Sequence, residues 1–195
     1  KEMEENTSFV CAEQEYQFEM DLLSEDEVSI HLRGIIDRID RCQDALRILD
    51  YKSSDKNLSK NKVLAGVQLQ LLTYLIIATK IFNAKAMGAY YFSLKNSTIK
   101  VKAGKLNGRN FEYSQIEEED LRRDWIKEEE LKGWTFDDSN VLDYNGQHIN
   151  NLSVKDGKVS IRGGKFDFKQ VEKAIYELYR ILKENLLQGK IECSP

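Results

Sequence analysis

Cysteine is scarce in this chain: Cys11, Cys42 and Cys193 are the three it has, and they lie far apart. No Cys-x-x-Cys pair or zinc spacing exists, so neither a zinc knuckle nor a dithiol redox centre is expected. An odd, sparse set points instead to a reducing cytoplasm and to buried thiols. Long hydrophobic runs are absent too. Nothing reaches the ~20 apolar residues of a membrane span, so no membrane partner is expected. The phosphate-cradling pattern Gly-x-x-x-x-Gly-Lys-Ser/Thr is missing, so ATP hydrolysis must come from elsewhere. There is no secretory signal, and residue 1 is Lys rather than Met. The expectation is a fragment of a longer polypeptide. Repeats and low-complexity linkers are also lacking.

What is there is the composition of one globular domain. A hydrophobic share of 41% and a charged share of 32% over 195 residues fit a soluble protein with one sizeable core. We read residues 1–195 as a single domain, with 106–165 as an insertion or peripheral subregion. A net charge of −4 argues against a generic nucleic-acid binder. The charge is uneven, however. Residues 31–62 hold eight Lys or Arg against five Asp, whereas residues 112–130 hold nine acids against three bases. The acidic run reads as a face turned to solvent or to a basic partner, the solvated face being the commoner case.

Alternating apolar positions (Val10 and Ala12, then Tyr16, Phe18, Met20 and Leu22) predict a strand over 9–23, with a turn at 24–27. Residues 28–40 and 45–53 read as two more strands of a meander. Residues 55–61 read as a polar loop without a core residue. A helix is predicted over 62–82, because Val63, Leu64, Val67, Leu71, Leu72, Leu75 and Ile76 recur at three and four. Residues 85–94 are nearly continuously apolar, as in a central strand covered on both faces. Farther on, the pattern predicts an edge ribbon at 98–105, an amphipathic helix at 114–131 and a hairpin at 154–161 with an Asp156-Gly157 turn. Trp134 and Phe136 read as anchors to the core. Asp167 is predicted to cap a final helix over 168–188, which Gly189 ends.

Asp50 and Lys52 are two apart on a predicted strand and so share a face. If that strand and its predecessor form a hairpin, Asp37 joins Asp50 at neighbouring strand ends. Two carboxylates suit a hard divalent cation, usually Mg²⁺, and a lysine beside them can orient or deprotonate a water. That is the outline of metal-assisted phosphodiester hydrolysis. Weighed alone, Asp-x-Lys is frequent by chance, and Asp37 also fits a solvated turn. Gln70 and Tyr74 share one helix face; alone they would read as a core tyrosine beside a capped glutamine. Arg38 and Arg41 suit phosphates, and equally suit salt bridges to Asp40 and Asp44. The polar loop with Lys56, Lys60 and Lys62 is the best candidate for a segment that meets DNA. His31, six residues before Asp37, is expected on the same strand face but about 20 Å away, too far to share a metal. It reads as structural, and His148 carries no signal.

Three stretches, Leu32-Arg-Gly-Ile-Ile-Asp-Arg-Ile-Asp40, Leu46-Arg-Ile-Leu-Asp-Tyr-Lys-Ser-Ser54 and Leu69-Gln-Leu-Leu-Thr-Tyr-Leu75, together resemble the RecB-like branch of the PD-(D/E)XK nucleases. Within it, the chain is similar to the C-terminal nuclease domain of the B subunit of bacterial AddAB-type ATP-dependent helicase–deoxyribonucleases. Softer likeness runs through Ala89-Tyr-Tyr-Phe92, Leu131-Lys-Gly-Trp134 and Leu187-Gln-Gly-Lys-Ile191, so it covers most of the chain.

The resemblance implies an α/β, restriction-endonuclease-like (PD-(D/E)XK) core. This is a mixed central sheet flanked by helices, here with an acidic insertion and a C-terminal helix. It implies a Mg²⁺-dependent DNA exonuclease domain, with Mn²⁺ as substitute, that hydrolyses single strands in cytoplasmic double-strand-break processing and recombinational repair. The implied partners are DNA and the helicase–nuclease partner subunit of a heterodimer. The implied site has Asp37 and Asp50 as metal carboxylates and the Tyr51 backbone carbonyl as a further ligand. Lys52 positions the attacking water, Gln70 lies near Lys52 or the scissile phosphate, and Tyr74 contacts the DNA backbone or braces the site.

Family members often carry an iron–sulfur cluster, from one cysteine upstream and three beyond the position of Pro195. Cys193 does not match those positions, so no cluster is expected here. The family's further metal ligand, a His or Glu on a helix before the first strand, has no such helix ahead of Phe9. Glu5 is a weak substitute, and Glu13 and Glu15 lie on the first predicted strand. Weak metal binding and little activity are therefore expected of these residues alone. The competing readings are a non-catalytic DNA-binding or scaffolding domain that keeps the fold, and a stand-alone RecB-like nuclease.

Overall fold

The computed structural model describes residues 8–23, 29–94, 130–136, 149, 152–155, 158–161 and 166–190. Three antiparallel strands open it: β1 (Val10–Leu23), β2 (Ile30–Cys42) and β3 (Ala45–Lys52). Two helices follow, α1 (Lys60–Leu64) and α2 (Gln70–Ile81). β4 (Lys85–Ser93) then pairs parallel to β3, and β5 (Lys132–Thr135) pairs antiparallel to β4. The result is a mixed sheet in the order β1-β2-β3-β4-β5. Parallel neighbours need a crossover, and α2 supplies it. β6 (Leu152–Lys155) and β7 (Lys158–Ile161) form a separate antiparallel pair, the hairpin that the sequence pattern predicts. α3 (Phe168–Leu187) closes the described chain, with the Asp167 carboxylate accepting from the amides of Lys169 and Gln170. This is the PD-(D/E)XK type of core.

α2 is buried almost all round, through Leu71, Leu72, Leu75, Ile76 and Ile77. The sheet covers one side, and on another the Thr73 hydroxyl shares a 3.1 Å hydrogen bond with Tyr179 of α3. Each such aliphatic side chain contributes about 1.5–3 kcal/mol on leaving water. A second apolar cluster holds Ala45, Leu49, Met87, Tyr90, Leu131 and Ile149. Burial there pushes the Tyr90 phenol up to about 12, and its hydroxyl lies 2.7 Å from that of Thr135. Trp134 and Phe136 are buried in the core, as their sequence context predicts.

Four expectations change. The helix over 62–82 is broken: Gly66 sits at φ +74°, a left-handed conformation that ends α1. Val67 is consequently exposed, and α2 begins at Gln70. The loop over 55–61 does carry a core residue, Leu58, which is buried with the α2 cluster. Cys11 is exposed rather than buried, because β1 is an edge strand with an outward face, and Cys42 is half-buried.

The fourth change concerns strand parity. His31 pairs with Asp21 on the exposed side of the ribbon, whereas Gly34 pairs with the buried Phe18. Strict alternation would put Asp37 with His31. Instead Ile36 and Ile39, three apart, both join the α2-side core, so the alternation slips between them. Glu15, which lies opposite this level on β1, has φ +48°. His31 and Asp37 therefore face opposite ways. The turn at 24–27, the ribbon at 98–105, most of the helix at 114–131, Glu5, His148 and Cys193 lie outside the described residues. Among the described residues no helix is long and apolar enough to cross a membrane.

His31 holds Asp21 at 2.9 Å through Nδ1 and Glu19 at 2.8 Å through Nε2. Hydrogen bonds to Asp21, then to Glu19, raise its pKa. A raised histidine stabilises the fold fully below its ordinary value near 6.5, and that contribution is lost as pH rises through the folded value. His31→Gln is therefore expected to flatten the fall in urea midpoint between about pH 6 and pH 9. Identical pH slopes for the two proteins would refute the contact.

Candidate active site

The β2–β3 hairpin sets the site. Its ladder pairs Arg38 with Leu49, Ile39 with Ile48 and Asp40 with Arg47. Continued by one position, that register brings Asp37 opposite Asp50. The backbone ladder stops there, and the Tyr51 amide donates to Asp37 Oδ2 at 2.8 Å instead. In a strand, the N–H and C=O of one residue point to the same edge, so the Tyr51 carbonyl faces the same notch.

Asp50 lies on the α2 side of β3, in step with Leu46 and Ile48, and is 4% exposed. The Lys52 ammonium forms an ion pair with Asp50 Oδ2. The pair lacks hydrogen-bond alignment, so this buried oxygen has no hydrogen-bond donor. Burial pushes the Asp50 carboxyl up, Lys52 pulls it down, and the charge of Asp37 adds to the rise. Two carboxylates in each other's field, one with an oxygen left over, are a donor set that fits a hard divalent cation. Among the described residues no group of three His, Cys, Asp or Glu converges on one point, so these two acids would be a partial shell.

Gln70 and Tyr74 flank the hairpin from α2. The Gln70 amide donates to the Tyr74 hydroxyl at 3.1 Å, and the Tyr74 ring meets Phe18 edge-on at 5.3 Å. Both lie over Gly34, three residues before Asp37. A Cβ on Gly34 would stand 2.9 Å from the Tyr74 hydroxyl and from the Phe18 ring. Sequence reasoning misses Gly34, although a glycine inside a strand signals close approach. Gly34→Ala is expected to displace Tyr74 and to lower DNA cutting about ten-fold with a small loss of stability. Unchanged cutting would remove Tyr74 from the site.

Tyr91 is a second residue that sequence reasoning misses. It pairs with Asp50 across the parallel ladder, and its ring lies 5.9 Å from the Lys52 ammonium. Burial first, then the charge of Asp50, pushes its phenol up.

The basic residues divide. Lys56, Lys60 and Lys62 are exposed, and Lys56 is near enough to Asp50 to draw its carboxyl down. Arg38 is a correction. It is 8% exposed and ion-paired with Asp40 at 2.5 Å, so it takes the salt-bridge alternative and not the phosphate. The cause is strand parity: Arg38 pairs with Leu49, on the face opposite Asp50. Burial opposes its charge, the Asp40 carboxylate overrides that, and its pKa is raised. Arg41 lies at the far end of the hairpin, opposite Leu46, with its guanidinium 5.9 Å from the Phe82 ring. The structure does not bring it to Asp37.

The model of the PD-(D/E)XK nuclease superfamily matches residues 1–176. The chain is also similar to the B subunits of bacterial ATP-dependent helicase/deoxyribonucleases. It is 27% identical to that of Bacillus thuringiensis (strain Al Hakam), over 86% of this chain and 15% of the relative. The Bacillus mycoides (strain KBAB4) protein gives the same identity and coverage. The chain thus spans about 15% of the length of the curated relatives it matches.

Proposed function

Because the chain belongs to the PD-(D/E)XK nuclease superfamily, we propose that it is a metal-dependent DNA exonuclease module acting on single strands, part of a longer helicase–nuclease polypeptide. The observation that carries this reading is the buried Asp50 carboxylate. It has an oxygen without a hydrogen-bond donor, the charge of Asp37 beside it and the Lys52 ammonium against it.

In this reading Asp37, Asp50 and the Tyr51 carbonyl hold Mg²⁺, or Mn²⁺ in its place. A divalent cation bound there supplies Lewis acidity to the phosphate and to the attacking water. Lys52 orients that water and steadies the negative charge that grows on the phosphate oxygens. The water oxygen bonds to phosphorus as the bond to the leaving sugar oxygen breaks. Gln70 and Tyr74 hold the phosphate from the α2 side, and Lys56, Lys60 and Lys62 meet the phosphates that follow. The relatives' name supplies the context proposed here: a cytoplasmic complex with a helicase–nuclease partner subunit, working in double-strand-break repair.

Calorimetric titration with Mn²⁺, run beside cleavage of a single-stranded oligonucleotide, tests the reading. The wild-type chain is expected to bind in the millimolar range, Asp50→Asn to give no heat, and cutting by the longer polypeptide to vanish with Asp50→Asn. Undiminished cutting by Asp50→Asn would overturn the site. A longer polypeptide that binds DNA but cuts none would favour the scaffolding reading.

A further inference from the structure

Between α1, β5 and the first turns of α3 lies a cavity of about 350 Å³. Trp134 and Phe166 line it, stacked with centroids 4.1 Å apart and ring planes 13° from parallel. Val63 and Val171 add apolar wall, while Lys60 and Gln170 add an ammonium and an amide. Asp167 also borders it, but its carboxylate is committed to capping α3.

The cavity is tied to the catalytic strand. Residues 53–59 run from Lys52 to Lys60, at most about 28 Å of chain, and they are held in place. The Leu58 carbonyl accepts from the Trp134 indole at 3.2 Å, and Asp55 is ion-paired with Lys132. The Gln68 side chain accepts from the Ser59 amide at 2.9 Å and donates to the Asn57 carbonyl at 3.1 Å. Lys56 on the same segment acts on Asp50. A basic track therefore leads from Asp50 to a chamber that offers an aromatic wall, a hydrogen-bonding amide and a cation at its rim. Those are the partners of a base face, a base edge and a phosphate.

We propose that this cavity receives an unpaired nucleobase of the strand under cleavage, with Lys60 on the adjoining phosphate. The proposal rests on the nuclease reading of the Asp37–Asp50 site and adds to it a reason for preferring single strands. A base inside a duplex has its faces stacked and its edge paired, so it cannot enter.

The test is equilibrium binding of a thymidine dodecamer carrying one 2-aminopurine, without divalent cation so that nothing is cut. The wild-type chain is expected to quench the 2-aminopurine, and a duplex of the same sequence is expected to stay bright. An abasic dodecamer is expected to bind about ten-fold more weakly. Ala174→Phe, which fills the cavity from its wall, is expected to abolish the quench and to bind both dodecamers equally weakly. Equal wild-type affinity for the base-bearing and abasic strands would overturn the proposal, and that comparison needs no variant to fold. So would a full quench in folded Ala174→Phe. Cleavage with Mn²⁺ separates the two claims. Cutting without base dependence sinks the cavity alone, and quenching by a longer polypeptide that never cuts sinks the nuclease reading alone.

Discussion

Lys52→Ala in the longer polypeptide is expected to reduce DNA degradation by about 10²–10³-fold, the usual cost of removing one preorganised charge-stabilising donor, while ATP hydrolysis continues. The Lys52 side chain is 24% exposed and touches Asp50 and the Tyr91 ring rather than the apolar core. Its removal leaves Asp50 buried beside Asp37, which favours the protonated carboxyl further. The fold should survive, so a circular dichroism spectrum like that of the wild type is part of the result. Lys52→Arg is not expected to rescue, since a planar fork does not replace a compact ammonium. Degradation at the wild-type rate by Lys52→Ala would show that the proposed chemistry is wrong.

Asp40→Ala is expected to be the most destabilising single change on the opposite face of the sheet. Asp40 is fully buried between Arg38 at 2.5 Å and Arg47 at 2.9 Å, and Arg47 in turn lies over the Phe9 ring at 4.7 Å. Removing that carboxylate leaves two guanidiniums in the interior without it. Breaking a buried pair in this way costs about 3–5 kcal/mol, which for a chain of this size lowers the melting temperature by roughly 10 °C. The triple change Arg38→Met, Asp40→Leu, Arg47→Met should recover most of the loss, because apolar packing replaces buried ion pairs at little cost. A melting temperature within about 2 °C of wild type for Asp40→Ala would mean that water reaches the pair.

The hairpin partners were legible because a two-residue turn, with Gln43 at φ +53°, fixes the register. Once Cys42 pairs with Ala45, Asp37 must come opposite Asp50. The inward place of Arg38 was legible in principle, since adjacent strand residues point apart. Charge alone suggested a phosphate ligand. Two features were not legible. The slipped alternation around Asp37 goes with a left-handed residue on the neighbouring strand, Glu15, and single-strand periodicity contains no such term. The break at Gly66 is masked because Val63 still packs inward after the helix ends. Leu58 and Gly34 owe their roles to partners distant in sequence, Trp134 and Tyr74.

β1 runs for 14 residues along the open margin of the sheet, and a long straight margin is a template for stacking copies into aggregates. Two properties blunt it. Glu13, Glu15, Glu19 and Asp21 spread like charge along its length, and the left-handed turn at Glu15 keeps the strand from lying straight. The irregularity beside Asp37 thus also keeps the protein dispersed, so smoothing that strand for stability would trade a local strain for insolubility.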